Sequence, residues 1–199
     1  MSDEKWTGIF PAVTTKFDED GALDAAEMER CFALQIEAGV DGLIVCGSLG
    51  EASTLDHDEK LQVFEVARAV AGSRPVLMTV CDGATRDAAR LGQRAAHAGA
   101  DGLMILPGLP YKSDPRETIA HYRTIARAAE LPAMIYNNPP AYGVDITPAM
   151  LAEMADEPLF TSVKESSDNV RRITDIANLT GDRYQVFTGV DNLALESFA

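Results

Sequence analysis

The feature that most constrains this chain is a repeated alternation of short apolar runs with longer amphipathic ones, at roughly thirty-residue spacing. The apolar runs are Gly8–Thr15, Asp41–Cys46, Pro75–Val80, Asp101–Leu106, Pro132–Tyr136, Phe160–Val163 and Tyr184–Gly189. Most are continuously apolar, as parallel strands covered on both faces must be. The stretches between them read as helices. Asp24 precedes Met28, Cys31, Phe32, Leu34 and Ile36 at helical spacing, and Gly39 stops that pattern. Further helices are expected from about Asp58, over Thr85–Ala98 and Pro115–Ala129, from Thr147-Pro148, over Asn169–Leu179, and from Asn192 to Ala199.

Strand–helix repetition admits two architectures, a (β/α)8 barrel and a doubly wound open sheet. An internal echo supports true repetition. Ala38-Gly39-Val40-Asp41-Gly42-Leu43 recurs as Ala98-Gly99-Ala100-Asp101-Gly102-Leu103, at helix-to-strand turns where glycine ends the helix. No Gly-x-Gly-x-x-Gly follows the first run, which weakens dinucleotide binding. Unusual polar residues instead follow several different strands, where a barrel gathers its active site. The expected fold is therefore an α/β, (β/α)8 TIM barrel. Such barrels take about 250 residues, and this chain has 199. Residues 1–199 then read as a single barrel domain, incomplete at the C-terminus and truncated after strand seven.

The formal net charge is −14, which argues against nucleic-acid binding and against attraction to an anionic membrane. No apolar run is long enough to span a bilayer, and Met1–Lys5 lacks a signal-peptide pattern, so a soluble cytoplasmic protein is expected. Cys31, Cys46 and Cys81 show no metal spacing. Cys46 and Cys81 lie in apolar runs and read as buried thiols. His57, His97 and His121 fall in helical stretches, where packing or surface roles suffice. No metal or cofactor is expected.

The chemistry-bearing stretch is Val163-Lys164-Glu165-Ser166-Ser167. A lysine at the end of a buried strand is pushed toward its neutral amine, which can attack a ketone to form a Schiff base. A strand-end lysine that snorkels to solvent has the same local sequence. Tyr136 ends the preceding strand, where a phenol can move a proton beside a forming carbinolamine. Gly47-Ser48-Leu49-Gly50-Glu51 offers a hydroxyl and consecutive N–H groups suited to a carboxylate, or it is a plain glycine-rich connection. Tyr111 and Tyr142 are loop aromatics that could cover the pocket or reach a neighbouring subunit. Gly189 permits close backbone approach to a ligand, or serves only as a turn.

Together, Gly8-Ile9-Phe10-Pro11-Ala12-Val13-Thr14-Thr15, Gly47-Ser48-Leu49-Gly50-Glu51, Tyr136-Asn137-Asn138-Pro139 and Val163-Lys164-Glu165-Ser166-Ser167 resemble the dihydrodipicolinate synthase / N-acetylneuraminate lyase family of Schiff-base aldolases. The resemblance implies a (β/α)8 barrel, commonly tetrameric, that acts on a small 2-oxo acid without metal or organic cofactor. It implies Lys164 as the Schiff-base lysine, Tyr136 as the proton relay, Ser48 and the Leu49 N–H as carboxylate holders, and the Gly189 carbonyl near the substrate. It also places Asn138, Tyr111 and Tyr142 around the substrate. A homo-oligomer, tetramer or dimer, is the expected assembly.

Three departures separate this chain from the synthase proper. Ser48 and Leu49 stand where the synthase loop has two threonines. Ala141 stands where the synthase has an arginine for its second substrate, and alanine cannot clamp a carboxylate. Tyr111 is offset from the tandem aromatics that cross between subunits. Gly47–Glu51, the Pro110–Thr118 stretch and Tyr136–Asp145 instead resemble a branch that includes deaminases of pyrroline-4-hydroxy-2-carboxylate and sugar-acid dehydratases. The expected activity is a Schiff-base lyase on a 2-oxo or cyclic 2-imino acid. The alternatives are 4-hydroxy-tetrahydrodipicolinate synthase, joining pyruvate to aspartate semialdehyde, and a non-catalytic ligand-binding homologue or inactive fragment.

Overall fold

The computed structural model describes residues 6–108 and 111–198. Met1–Lys5, Leu109, Pro110 and Ala199 lie outside the described residues. The helices are α1 Ala25–Glu37, α2 His57–Ala71, α3 Thr85–His97, α4 Pro115–Ala129, the single turn α5 Pro139–Tyr142, α6 Pro148–Glu153, α7 Arg171–Thr180 and α8 Ala194–Phe198. The strands are β1 Leu43–Val45, β2 Val76–Val80, β3 Gly102–Ile105, β4 Ala133–Asn137, β5 Phe160–Glu165 and β6 Gln185–Thr188. No helix among the described residues is long and apolar enough to cross a membrane.

All six strands are parallel and lie side by side in chain order, β1 to β6. A doubly wound sheet reverses its strand order at a switch point; this sheet does not. It curls instead. Phe10, ahead of β1, meets Phe187 of β6 edge-to-face with ring centroids 5.5 Å apart. Opposite ends of the strand order therefore touch, as in part of a barrel wall.

The expected first strand, Gly8–Thr15, is not a full member of the ladder. It makes one isolated parallel bridge, Ala12 to Ile44. Ile44 N–H donates to the Pro11 carbonyl and Val13 N–H to the Ile44 carbonyl, each at 3.0 Å. Pro11 has no N–H to continue the pattern, so the segment lies along β1 without forming a regular strand.

Two apolar layers flank the sheet. The larger packs its outer face against the helices through residues such as Phe32, Phe64, Leu91, Tyr122 and Phe160. The smaller fills the inside of the curl with Ile44, Leu77, Met104, Met134 and Tyr136, joined by Trp6, Phe10 and Phe187. The internal echo has its reason here. A Cβ on Gly42 would fall 2.2 Å from the Phe10 ring, and one on Gly102 2.2 Å from the Trp6 ring. Asp41 accepts a hydrogen bond from the Ile9 N–H at 2.7 Å, and Asp101 from the Val76 N–H at 2.8 Å. Each copy thus uses an aspartate to hold the start of the adjacent segment and a glycine to admit an aromatic ring.

Helix starts follow local chemistry. Asp24 accepts from the Glu27 N–H, Asp114 forms a capping box with Glu117 ahead of Pro115, and Thr147 caps Pro148. The second helix starts at His57, next to the expected Asp58, where Asp56 and Glu59 form its capping box.

Candidate active site

Lys164 and Tyr136 are direct register partners on neighbouring strands, β5 and β4. Paired positions in a parallel sheet point to the same face, and here that face is the inside of the curl. The Lys164 Nζ lies 4.8 Å from the centre of the Tyr136 ring. Burial lowers the Lys164 pKa, while the Tyr136 phenol and the Asp191 carboxylate act in the opposite direction. Loss of solvation is the larger influence, so the amine is biased toward the neutral form that can act as a nucleophile.

Tyr136 is 8% exposed. Asn138 donates through Nδ2 to its hydroxyl at 3.0 Å, and the Tyr122 hydroxyl donates to its carbonyl at 3.1 Å. The Tyr142 ring packs edge-to-face on it at 5.7 Å. Tyr142 hydrogen-bonds to Ser48. Burial raises the Tyr142 pKa to about 12, opposed by the Ser48 hydrogen bond and assisted by the neighbouring Tyr136 phenol. It therefore remains protonated at neutral pH.

The Ser48 loop is held tightly. Cys46 and Glu51 take left-handed backbone angles on either side of it. The Thr15 hydroxyl donates to the Gly50 carbonyl at 2.6 Å. Among the described residues, the N–H groups of Ser48 and Leu49 donate to no protein acceptor, which leaves them available to an anion. The Leu49 side chain is 68% exposed, so only its backbone is placed for such a role.

Gly189 lies against the lysine. Its N–H donates to the Glu165 carbonyl at 2.8 Å. A Cβ there would fall 2.0 Å from Ser166 Oγ and 2.8 Å from Lys164 Cε. The close approach thus requires glycine. Tyr111 is 86% exposed and does not cover the pocket in this chain.

Several residues were not singled out from the sequence. Ser166 shares the inner face with Lys164, two positions on, and its buried Oγ has no protein partner. The period of two along the strand was the available signal. Glu165, 4% exposed, turns the other way. It accepts from Asn137 Nδ2 at 2.9 Å and from the Ser167 N–H at 2.7 Å. Asn137 in turn accepts from the Ile146 N–H at 2.9 Å. These bonds tie the ends of β4 and β5 together directly behind Tyr136 and Lys164.

Beyond Tyr142 opens a cavity of about 470 Å³, lined by Ser48, Lys60, Cys81, Asp82, Ala141 and Tyr142 among others. Lys60 on α2 is only 4% exposed. Asp82 Oδ1 is hydrogen-bonded to His57 Nε2 at 2.7 Å, and its other carboxylate oxygen is buried and, among the described residues, without a partner. Cys46 is fully buried, and burial raises its pKa to about 12, so it is a packing thiol.

The chain is similar to known proteins over nearly its whole length. A 4-hydroxy-tetrahydrodipicolinate synthase of Haloarcula marismortui is 38% identical over 192 residues, covering 94% of this chain and 62% of that protein. The crystal structure of dihydrodipicolinate synthase from Aquifex aeolicus superposes with a TM-score of 0.91 at 30% identity, over 96% of this chain and 66% of that one. A prophage protein of the dihydrodipicolinic acid synthase family from E. coli K12, solved in complex with pyruvate, gives a TM-score of 0.91 at 31% identity, over 97% and 66%. The chain spans about two thirds of the length of these relatives or slightly less. With residues 5–199 matching the sequence model of the dihydrodipicolinate synthetase family, the chain belongs to that family.

Proposed function

We propose that Lys164 forms a Schiff base with a small 2-oxo or cyclic 2-imino acid, as a lyase of this family. The observation that carries the reading is the register pairing of a desolvated lysine with a buried tyrosine on one inner face. The neutral Nζ adds to the C2 carbonyl carbon. The amine loses a proton, the carbonyl oxygen gains one, and a carbinolamine results. Protonation of its hydroxyl by Tyr136 releases water and leaves the imine. The hydroxyl of Ser48 and the free N–H of Leu49 hold the substrate carboxylate, with the Gly189 backbone beside it. The pyruvate held by the E. coli relative is a ligand of the required kind.

The finer reading is a deaminase or dehydratase. For a cyclic 4-hydroxy imino acid, Lys164 exchanges into the ring imine, the 4-hydroxyl leaves as water, and hydrolysis releases ammonia and the oxo acid. Ala141 favours this reading, because it supplies no guanidinium for a second substrate's carboxylate. The second reading is 4-hydroxy-tetrahydrodipicolinate synthase, the name carried by the Haloarcula relative. We further propose that residues 1–199 form part of one (β/α)8 barrel domain and that the active assembly is a homo-oligomer.

A substrate panel separates the readings. Pyruvate with aspartate semialdehyde tests the synthase by product absorbance. The 4-hydroxy cyclic imino acid tests the deaminase by ammonia release, and sugar acids test the dehydratase. The expected result is elimination from a hydroxylated substrate, with condensation at least about tenfold slower. Condensation as the faster reaction establishes the second reading instead.

A further inference from the structure

Two carboxylates grip one buried amide behind the active site. Asn137, fully buried at the end of β4, donates from Nδ2 to Glu165 Oε2 at 2.9 Å and to Asp145 Oδ1 at 3.4 Å. Two anions thus converge on one nitrogen, and like charges so close repel. Arg172, in the first turn of α7, donates from Nη2 to Asp145 Oδ2 at 2.9 Å. Its side chain is 14% exposed. Burial opposes its charge, but the bond to Asp145 and the carboxylates of Asp145, Glu165 and Asp175 prevail and raise its pKa above the ordinary arginine value. We propose that Arg172 is a positioning residue for imine formation: its charge offsets Asp145 and Glu165 while they grip Asn137, and that grip fixes both the 138–145 loop and the strand ends where Lys164 and Tyr136 meet.

On local grounds alone Arg172 is badly placed. Helix α7 opens at Arg171 without a side-chain cap and with no acidic residue in its first turn. A cation there faces the positive end of the helix dipole. Arg172 Nη1 is also buried with no partner among the described residues. The charge is balanced instead by Asp145 from the loop, Glu165 from β5 and Asp175 from the next turn of α7. Removing one member of such a set is costly, because the charges that remain lose their counterpart.

Arg172 reaches the reacting groups by two routes. The Ile146 N–H donates to Asn137 Oδ1 at 2.9 Å, so Asn137 closes the 138–145 loop at its base together with Asp145. That loop carries Asn138, whose Nδ2 donates to the Tyr136 hydroxyl at 3.0 Å, and Tyr142, packed edge-to-face on Tyr136. The second route runs along the strand ends. The Ser166 N–H donates to the Asn137 carbonyl at 2.8 Å, one position beyond the Lys164–Tyr136 register pair. A misplacement of about 1 Å at a reacting group costs up to about 100-fold in rate. Loss of the grip therefore slows the reaction while the carboxylate-holding loop, Gly47–Glu51, stays in place on another segment.

This role rests on the Schiff-base reading, and the test lets the two fail separately. The 199-residue chain is mixed with pyruvate at several concentrations and quenched with borohydride at successive times, beside urea unfolding of each variant. Arg172→Met keeps much of the side-chain length and removes the charge. It is expected to slow saturated imine formation about tenfold, with half-saturating pyruvate changed less than about twofold, and to lower the urea midpoint. Asp145→Asn keeps an oxygen for Asn137 and leaves Arg172 opposite Glu165, one charge against one, so its rate should stay within about threefold of the unmodified chain. Added to Arg172→Met, it removes one of the two like charges. The double variant should regain at least about threefold in rate over Arg172→Met, with a higher urea midpoint. Lost packing is not restored by an aspartate-to-asparagine change, so recovery identifies charge balance. Arg172→Lys keeps the charge, should lose no more than about threefold, and carries the test if Arg172→Met does not fold. An Arg172→Met rate within about twofold of the unmodified chain, a double variant no faster than Arg172→Met, or an Arg172→Lys loss of about tenfold would overturn the positioning role. Failure of the unmodified chain to form any adduct would overturn the Schiff-base reading instead, with the charge balance still read from the urea midpoints.

Discussion

Replacing Lys164 by arginine is expected to reduce turnover on the order of 10⁴-fold or more and to abolish borohydride trapping. Arginine retains the positive charge and much of the length, yet its guanidinium does not deprotonate in proteins. The substitution therefore removes the nucleophile and leaves the electrostatics largely in place. A purely electrostatic role for Lys164 would survive it. The unmodified chain should also show a trapping rate that rises with pH. Only the neutral amine attacks, and burial places the Lys164 pKa below the ordinary lysine value of 10.5. The rise should thus begin at lower pH than it does for an exposed lysine. A Lys164→Arg chain that still turns over, or a trapping rate independent of pH, contradicts this account.

Removing the Glu165 carboxylate is expected to have the largest effect on stability among residues near the site. Glu165→Ala leaves the Ser167 N–H without its acceptor and Asn137 Nδ2 with only the longer 3.4 Å bond to Asp145 Oδ1, in a region where Glu165 is 4% exposed and Asn137 fully buried. A buried unpaired donor costs about 1–3 kcal/mol, so with one donor unpaired and one left on a weaker bond a loss of about 2 kcal/mol is expected, read as a lower urea midpoint at unchanged slope. Trapping at Lys164 should slow as well, because the bonds that align β4 with β5 behind Tyr136 and Lys164 are gone. Glu165→Gln keeps an amide oxygen for one of the two donors and should lose about half as much. A Glu165→Ala chain within about 0.5 kcal/mol of the unmodified one would show that these bonds contribute little.

These two expectations mark where the sequence was readable and where it was not. Lys164 and Tyr136 could be found because each ends an apolar run, and in a parallel sheet such ends gather on one rim. Helix starts at Asp24, Asp114-Pro115 and Thr147-Pro148 were readable because capping is local. Asp56-x-x-Glu59 carried the same signal, and its capping box starts α2 at His57, one residue before the cap-like Asp58. The Gly8–Thr15 segment looked like a strand by composition, but Pro11 lacks the N–H that a ladder needs. The Asn137–Glu165 bond joins residues 28 apart and depends on strand register, which composition does not encode. The single turn α5 is too short to show periodicity, so the approach of Tyr142 to Tyr136 emerged only from the folded chain. Lys60 became a cavity residue only once α2 had docked.

The most direct test is the mass of the folded chain after incubation with pyruvate and borohydride, followed by peptide mapping. The account predicts one reduced pyruvate per chain, on the peptide containing Lys164. A folded chain that gains no adduct, or gains it on another lysine such as Lys60, contradicts the claim that Lys164 is the nucleophile.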